Sequence, residues 1–418
     1  AFKLYDTYGF PVDLIEDIIR DTDYVLDMNS YEEEMLNQKN SSKKASKFKS
    51  PIGETIDLTQ IINIDSVTKF MGYKELSLES KIVVLIKDNE IVSTAFEKEK
   101  VGIILDSTPF YAESGGQIGD KGTIETKSAL IDIFDTQKTK EGFYIHSGIV
   151  KKGEVKNGDN VNSKVDKLFR SQISEHHSAT HILHSSLRAI LGTHIRQAGS
   201  LVKNDRLRFD FSHFSNIDTG TLKEIENLVN ERIRMNNEII VQENVEYKKA
   251  IKNGATAFFE DKYGDFVRVV SIGDFSTELC GGTHIENTGQ IGSLYVSSES
   301  SISSGIRRIE AHVGESGLNY INDIKDILIY SSASLNSQLN KLPESILRLQ
   351  KENDDLKIKL AGYERDVTKS LAAQVLSSSE VVNNITIVSF LGEDMTSSQL
   401  KKAKKLAREC IRKKYKGC

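Results

Sequence analysis

HHSATHILH (residues 176–184) holds four of the nine histidines in the chain. Read as a helix, it places His177 and His181 at i and i+4, so both rings leave one face about a turn apart and can chelate a single ion. His184 shares that face, as a further ligand or as a support for one, while His176 points elsewhere. The spacing is like that of the metalloprotease helix, but Ser178 stands where that chemistry needs its glutamate base, so peptide hydrolysis by that route is not expected. The competing reading is a histidine pair satisfied by hydrogen bonds inside a core.

Two histidines do not complete a site. Downstream, STELCGGTHIENTG (276–289) offers Cys280 and His284, separated by a pair of glycines and a threonine that let the backbone curl until both side chains reach one ion. One cysteine and three histidines suit tetrahedral zinc. Four protein ligands normally close a structural site, whereas a loose ligand would open a position for water and lower its pKa to about 7. Both alternatives remain open on sequence alone.

Outward from the histidines the chain divides. Residues 55–165 carry short strand signals (KIVVLIKDNEIVSTAFE, VGIILDSTPFYA, SALIDIFDTQKT, GFYIHSGIV) broken by Asp-Asn, Gly-Gly and Lys-Glu-Gly turns, which predicts a small β-barrel. Residues 166–315 alternate helix and strand, with a strand at RLRFDFSHF and a long helix at TLKEIENLVNERIRMNNE, as a mixed α+β domain would. Over 316–372 the apolar positions Leu335, Leu339, Leu342, Ile346, Leu349, Leu356, Leu360 and Tyr363 step by four and three, with Asn353 in the gap. That is a heptad seam for self-association through 335–363, though Pro343 makes a break between two helices as natural as one rod. Residues 373–418 start a further domain too short to fold alone. Before the barrel, 1–20 read as the end of a helical region and the polar stretch 21–54 as a linker or insertion. The chain opens on Ala1 inside structured-looking sequence, so a piece of a larger protein is expected. The fold class is therefore α+β and multidomain: a barrel, a zinc-containing α+β domain, then a helical, coiled-coil segment.

Composition narrows the function classes. With 38% hydrophobic and 28% charged residues, 418 residues read as several ordinary globular domains. No uninterrupted apolar run could cross a bilayer, so no membrane partner is expected. Three cysteines are too few for a disulfide framework and leave cysteine free for metal, as in a reducing, cytoplasmic setting. A net charge of -5 gives no global nucleic-acid signature, although 39–51 and 401–417 are locally basic, which a solvated loop or helix face would also explain. Neither GxxxxGK nor GxGxxG occurs.

HSATHILHSSLRAILGTHIRQAGSLV (177–202), RLRFDFSH (206–213), the run from IGDFSTELCGG to GIRRIEAHVG (272–314) and FYAESGGQIGD (110–120) resemble the editing half of alanyl-tRNA synthetases. AFKLYDTYGFPVDL (1–14) is similar to the segment of that family just after its aminoacylation and tRNA-recognition regions. The resemblance covers nearly the whole chain and implies an aminoacyl-tRNA deacylase in 166–315. Its substrate would be tRNA(Ala) mischarged with serine or glycine, and in the full-length enzyme it would act alongside ATP-dependent ligation of alanine. A related domain occurs in threonyl-tRNA synthetases. By the same resemblance His177, His181, Cys280 and His284 would hold Zn2+, Gln197 would belong to the editing pocket, and Thr180 would face that pocket to read a serine hydroxyl. The aminoacylation core would precede residue 1, so no aminoacylation is expected from this chain alone.

Three further residues carry weighed expectations. Arg307 and Arg308 are candidate contacts for the tRNA 3′ end, and as strand neighbours at most one should reach the pocket while the other pairs with a carboxylate. Asp210 faces away from Phe209 and Phe211, as a pocket acid or as a strand's polar face. YAESGGQIGD (111–120) supports the site or simply makes a tight barrel turn. The alternative to an enzyme is a tRNA-binding and assembly module with a structural zinc.

Overall fold

The computed structural model describes residues 67–257 and 264–377, with scattered positions before 67 and after 377. The helical end expected over 1–20, the linker expected over 21–54 and most of 373–418 lie outside the described residues. The chain forms two compact units, 1–321 and 322–418.

From residue 67 on, the first unit runs through β1 (Lys69–Phe70), β2 (Ser77–Lys87), β3 (Glu90–Val92), β4 (Thr94–Phe96), β5 (Lys100–Leu105) and β6 (Ser107–Thr108). Next come β7 (Gly122–Glu125), β8 (Ala129–Lys138), β9 (Tyr144–Lys156) and β10 (Asn160–Val165). Pairing runs β10-β7-β8-β9-β5-β2, and β2 pairs back onto β10, closing a six-stranded barrel. In β8 Ala129, Ile131 and Ile133 alternate with exposed Leu130, Asp132 and Phe134, and β10 alternates likewise, so each strand sends every second side chain inward. Ile82, Leu85, Ile103, Phe110, Ile131 and Val150 are among the residues filling the interior. Asp88 and Asn89, at φ 50° and 62°, make the two-residue turn between β2 and β3, the left-handed pair that such hairpins need.

The barrel runs directly into helix α1 (Lys167–Leu191), whose N-cap Asp166 accepts from the N–H groups of Leu168 and Phe169 at 3.0 and 3.1 Å. Strands β11 (Gln197–Val202), β12 (Leu207–Ser212), β16 (Leu294–Ser303) and β17 (Ile306–Val313) form an antiparallel sheet in the order β11-β12-β17-β16. A second sheet is β13 (Ile239–Glu246), β14 (Phe266–Ile272) and β15 (Ser276–Leu279), with α2 (Thr219–Arg234) and α3 (Tyr247–Lys252) between. One core joins them: Ile182 and Leu183 of α1 meet Phe209 and Phe211 of β12, Val229 of α2 and Ile309 of β17. This face of α1 is apolar, which leaves the face bearing His177 and His181 turned toward β15.

Helix α4 (Gly314–Ser334) ends at a turn where Asn336 takes φ 45°, and α5 (Leu342–Ser377) starts afresh. Pro343 lies in the first turn of α5, where its missing N–H is not needed, so two helices replace the single rod. Along α5 the seam residues Leu356, Leu360 and Tyr363 are exposed.

Candidate metal centre and adjoining cavity

His177, His181, Cys280 and His284 come together with their ligand atoms all within 4.8 Å of one another. Cys280 Sγ lies 3.4 Å from His177 Nε2 and 3.3 Å from His284 Nε2. His181 Nε2 is buried without a hydrogen-bond partner. Such an orphaned nitrogen is costly unless something completes it, and a cation would.

Each ring is turned by a partner on its other nitrogen. His177 Nδ1 is 2.7 Å from Gln117 Oε1, and His284 Nδ1 is 3.1 Å from Ser178 Oγ. Glu278 of β15 takes His181 Nδ1 on one oxygen and His184 Nδ1, at 2.8 Å, on the other. All three Nε2 atoms thereby face the cluster, the arrangement that outer partners give metal-binding histidines. His184 lies outside the four-residue group and shares Glu278 with His181. His176 faces elsewhere: its ring joins Gln172 O and Ser316 Oγ at 2.7 and 3.1 Å.

The electrostatics favour a cation. Burial would raise the Cys280 thiol, but the imidazoles of His177, His284 and His181 hold it well below its ordinary value, toward thiolate. Burial would likewise lower His181, yet the Glu278 carboxylate and Cys280 lift it to about 10, so the negative field there holds a proton that a bound metal ion would displace from Nε2. Against its own desolvation, Glu278 is held at about 2 by His181 and His184. His284 is lowered to about 3, by burial first, and so stays neutral as a metal ligand must. The donor set, the orphaned nitrogen and the negative field fit Zn2+.

The loop bearing Cys280 has no room to spare. A Cβ on Gly282 would lie 1.9 Å from His177 Cε1 and 2.9 Å from Gln117 Oε1, so only glycine fits against the ring. Arg268 of β14 donates to the carbonyls of Cys280 and Gly282 at 3.1 and 2.8 Å, and Tyr73 donates to Gly281 O at 2.6 Å. The guanidinium of Arg268 stacks 4.1 Å from the Tyr73 ring centre.

Beside the cluster is a cavity of about 190 Å³, walled by His177, His181, Thr180, Gln197, Ser200 and Gly281 among others. That is below the roughly 300–1,000 Å³ of pockets for drug-sized ligands, a space for a small polar group. Thr180 Oγ1 donates to His176 O at 2.8 Å, and Gln197 Nε2 donates to Ser200 Oγ at 3.2 Å.

The structure does not bring the remaining candidates to this wall. Asp210 is buried against Arg308, which donates to its two oxygens at 2.7 and 2.8 Å, so it is a paired strand acid and not a free pocket acid. Arg307, on the other face of β17, is held by Glu299 and Asn216, at 2.6 and 2.9 Å from Nη2. Both guanidiniums are paired with carboxylates, the arrangement expected for at least one of them, and neither lines the cavity. Conversely, Gln117, Glu278, Ser178 and Arg268 were missed. The sequence signals for them were local only: Glu278 lies two residues before Cys280, Ser178 directly follows His177 and Gln117 follows a glycine pair, while Arg268 has no local signal.

Two family models match the chain. The family described as tRNA synthetases class II (A) matches residues 1–169, and the threonyl and alanyl tRNA synthetase second additional domain matches residues 267–310, which include Cys280 and His284. Alanine-tRNA ligase of Thermoanaerobacter sp. (strain X514) is 41% identical over 408 residues, 96% of this chain and 45% of the relative. That of Bacillus subtilis (strain 168) is 39% identical over 398 residues, 93% and 44% of the two chains. That of Legionella pneumophila (strain Paris) is 40% identical over 401 residues, 96% and 46%. The chain thus spans somewhat under half the length of the curated relatives it matches. Among the described residues no helix is long and apolar enough to cross a membrane. On these similarities, together with the motifs at 177–202 and 272–314, the chain belongs to the alanyl-tRNA synthetase family.

Proposed function

We propose that residues 166–315 hydrolyse the aminoacyl ester of tRNA(Ala) wrongly charged with serine or glycine, as the editing part of an alanine-tRNA ligase. The observation that carries this reading is the small cavity in which Thr180 and Gln197 share a wall with His177 and His181. An aminoacyl ester is already activated, so a positioned water, a polarised carbonyl and a donor for the developing oxyanion suffice without a nucleophilic side chain. Zinc held by His177, His181, Cys280 and His284 would supply a Lewis acid at that wall.

The other roles belong to the chain itself. Thr180 has committed its hydroxyl hydrogen to His176 O, so toward the cavity it can only accept, which selects a ligand that donates, such as the serine hydroxyl. Gln197 has one N–H engaged with Ser200 and keeps its carbonyl oxygen and second N–H for the substrate's amine or carbonyl. Such a second site is needed because a missing methylene is worth only about 1–3 kcal/mol to a synthetic pocket, whereas a site built around a hydroxyl discriminates far more strongly. The test is deacylation of seryl-, glycyl- and alanyl-tRNA(Ala) by the full chain. The reading requires hydrolysis of the first two with alanyl-tRNA(Ala) spared, and equal rates on all three would sink it.

One observation favours a second reading. Four protein donors can close a zinc shell, which is the structural form. Zinc-replete protein that binds tRNA(Ala) tightly without turnover would identify a binding and assembly module, with the exposed seam of α5 available for self-association.

A further inference from the structure

Gln117 is fully buried, and its neighbours orient its carboxamide unambiguously. The backbone N–H of Thr283 donates to Oε1 at 2.9 Å, and Nε2 donates to Thr283 Oγ1 at 2.9 Å. Turned over, the amide would aim its NH2 at a backbone N–H, donor against donor. Oε1 is therefore the atom 2.7 Å from His177 Nδ1, and because a carbonyl oxygen only accepts, His177 carries its proton on Nδ1. In the neutral ring the lone pair then falls on Nε2, the nitrogen that faces Cys280 Sγ.

What sets Gln117 apart from Glu278 is where it comes from. Glu278 lies two residues before Cys280, but Gln117 sits on the loop between β6 and β7 and reaches across 60 residues of chain to His177. Ser114 and Gln117 bond each other's backbones at 3.1 and 3.0 Å, closing that loop behind the side chain. Ser174 Oγ donates to Thr283 Oγ1 at 2.9 Å, which fixes the far end of the network.

We propose that Gln117 is a positioning residue for the metal centre: by accepting from Nδ1 it fixes the tautomer and ring orientation of His177, so the barrel loop helps to determine metal affinity. This rests on reading the four-residue cluster as a zinc site.

The experiment measures zinc affinity of the full chain by competition with a chromophoric chelator, for the parent, Gln117→Ala, Gln117→Glu and His181→Ala. Thermal melting of the metal-free proteins and the 15N spectrum of labelled histidines accompany it. Removing an outer partner of this kind typically costs 10–100-fold in metal affinity, and that loss is expected for Gln117→Ala. Gln117→Glu, which keeps an acceptor for both His177 Nδ1 and Thr283 N–H, should lie nearer the parent than the alanine variant. The parent spectrum should place the His177 proton on Nδ1. An alanine variant with a zinc Kd within twofold of the parent, or a parent with the proton on Nε2, overturns the proposal. If Gln117→Ala is too unstable to titrate, the parent spectrum alone decides. A parent that binds no zinc would instead sink the zinc reading, while the tautomer still tests Gln117.

Discussion

Arg170, in the first turn of α1, donates from Nε to both carboxylate oxygens of Asp120 at 2.9 Å, and its remaining nitrogens reach Gly72 O at 2.7 Å and Pro109 O at 3.0 Å. Both side chains are almost wholly buried. This one guanidinium ties the histidine helix to the barrel and holds the far end of the loop that carries Gln117.

Breaking that pair from one side should be costly, because it strands a buried charge. Arg170→Met is expected to lose about 3–5 kcal/mol of stability in denaturant unfolding, and the double change Arg170→Met, Asp120→Leu clearly less than the sum of the singles. Additive losses would show that the two groups do not act as a pair.

Gly282 is where the metal loop touches His177. Gly282→Ala should abolish stoichiometric zinc binding while leaving the barrel folded, since the added carbon would occupy the ring's place. Zinc content by emission spectroscopy after dialysis reads this directly, and a fully loaded alanine variant would contradict the packing described.

Selectivity should pass through Thr180. Thr180→Val keeps the shape and removes the acceptor, so hydrolysis of seryl-tRNA(Ala) should fall about tenfold more than that of glycyl-tRNA(Ala), one hydrogen bond's worth. Equal losses on both substrates would assign Thr180 a packing role only.

Acid should weaken the barrel through His146. Its ring is fully buried between Ile103 O at 2.8 Å and Thr108 Oγ1 at 2.7 Å, and burial lowers its pKa from 6.5 to about 4. The folded state therefore binds fewer protons than the unfolded one between those values. The stability is fully present above pH 6.5 and declines as pH falls toward 4, by about 3 kcal/mol at most. His146→Gln should flatten the slope of unfolding free energy against pH in that window, and an unchanged slope would place its origin elsewhere.

Much of this could be read from residues alone, where the signal is local. The i, i+4 histidines and Cys280 with His284 announce a metal by spacing, and the period-two alternation in 129–138 announces a strand with one buried face. Closure of the barrel was not legible in the same detail, because β10 meets β2 across some 80 residues and no local pattern encodes that register. The same reason hid Gln117, a lone polar residue in a glycine turn until the fold places it under His177. For Arg307 and Arg308 the alternation correctly put them on opposite faces. Only the register with β12 and β16 reveals that each finds a carboxylate.

A zinc-dependent editing site is tested by turnover of seryl-tRNA(Ala) by the zinc-loaded chain, repeated after chelation, after zinc is restored, and with Cys280→Ala. Hydrolysis should disappear with the metal, return with zinc and be absent in the variant. Zinc-loaded, folded protein that binds seryl-tRNA(Ala) and leaves its ester intact would contradict the editing reading.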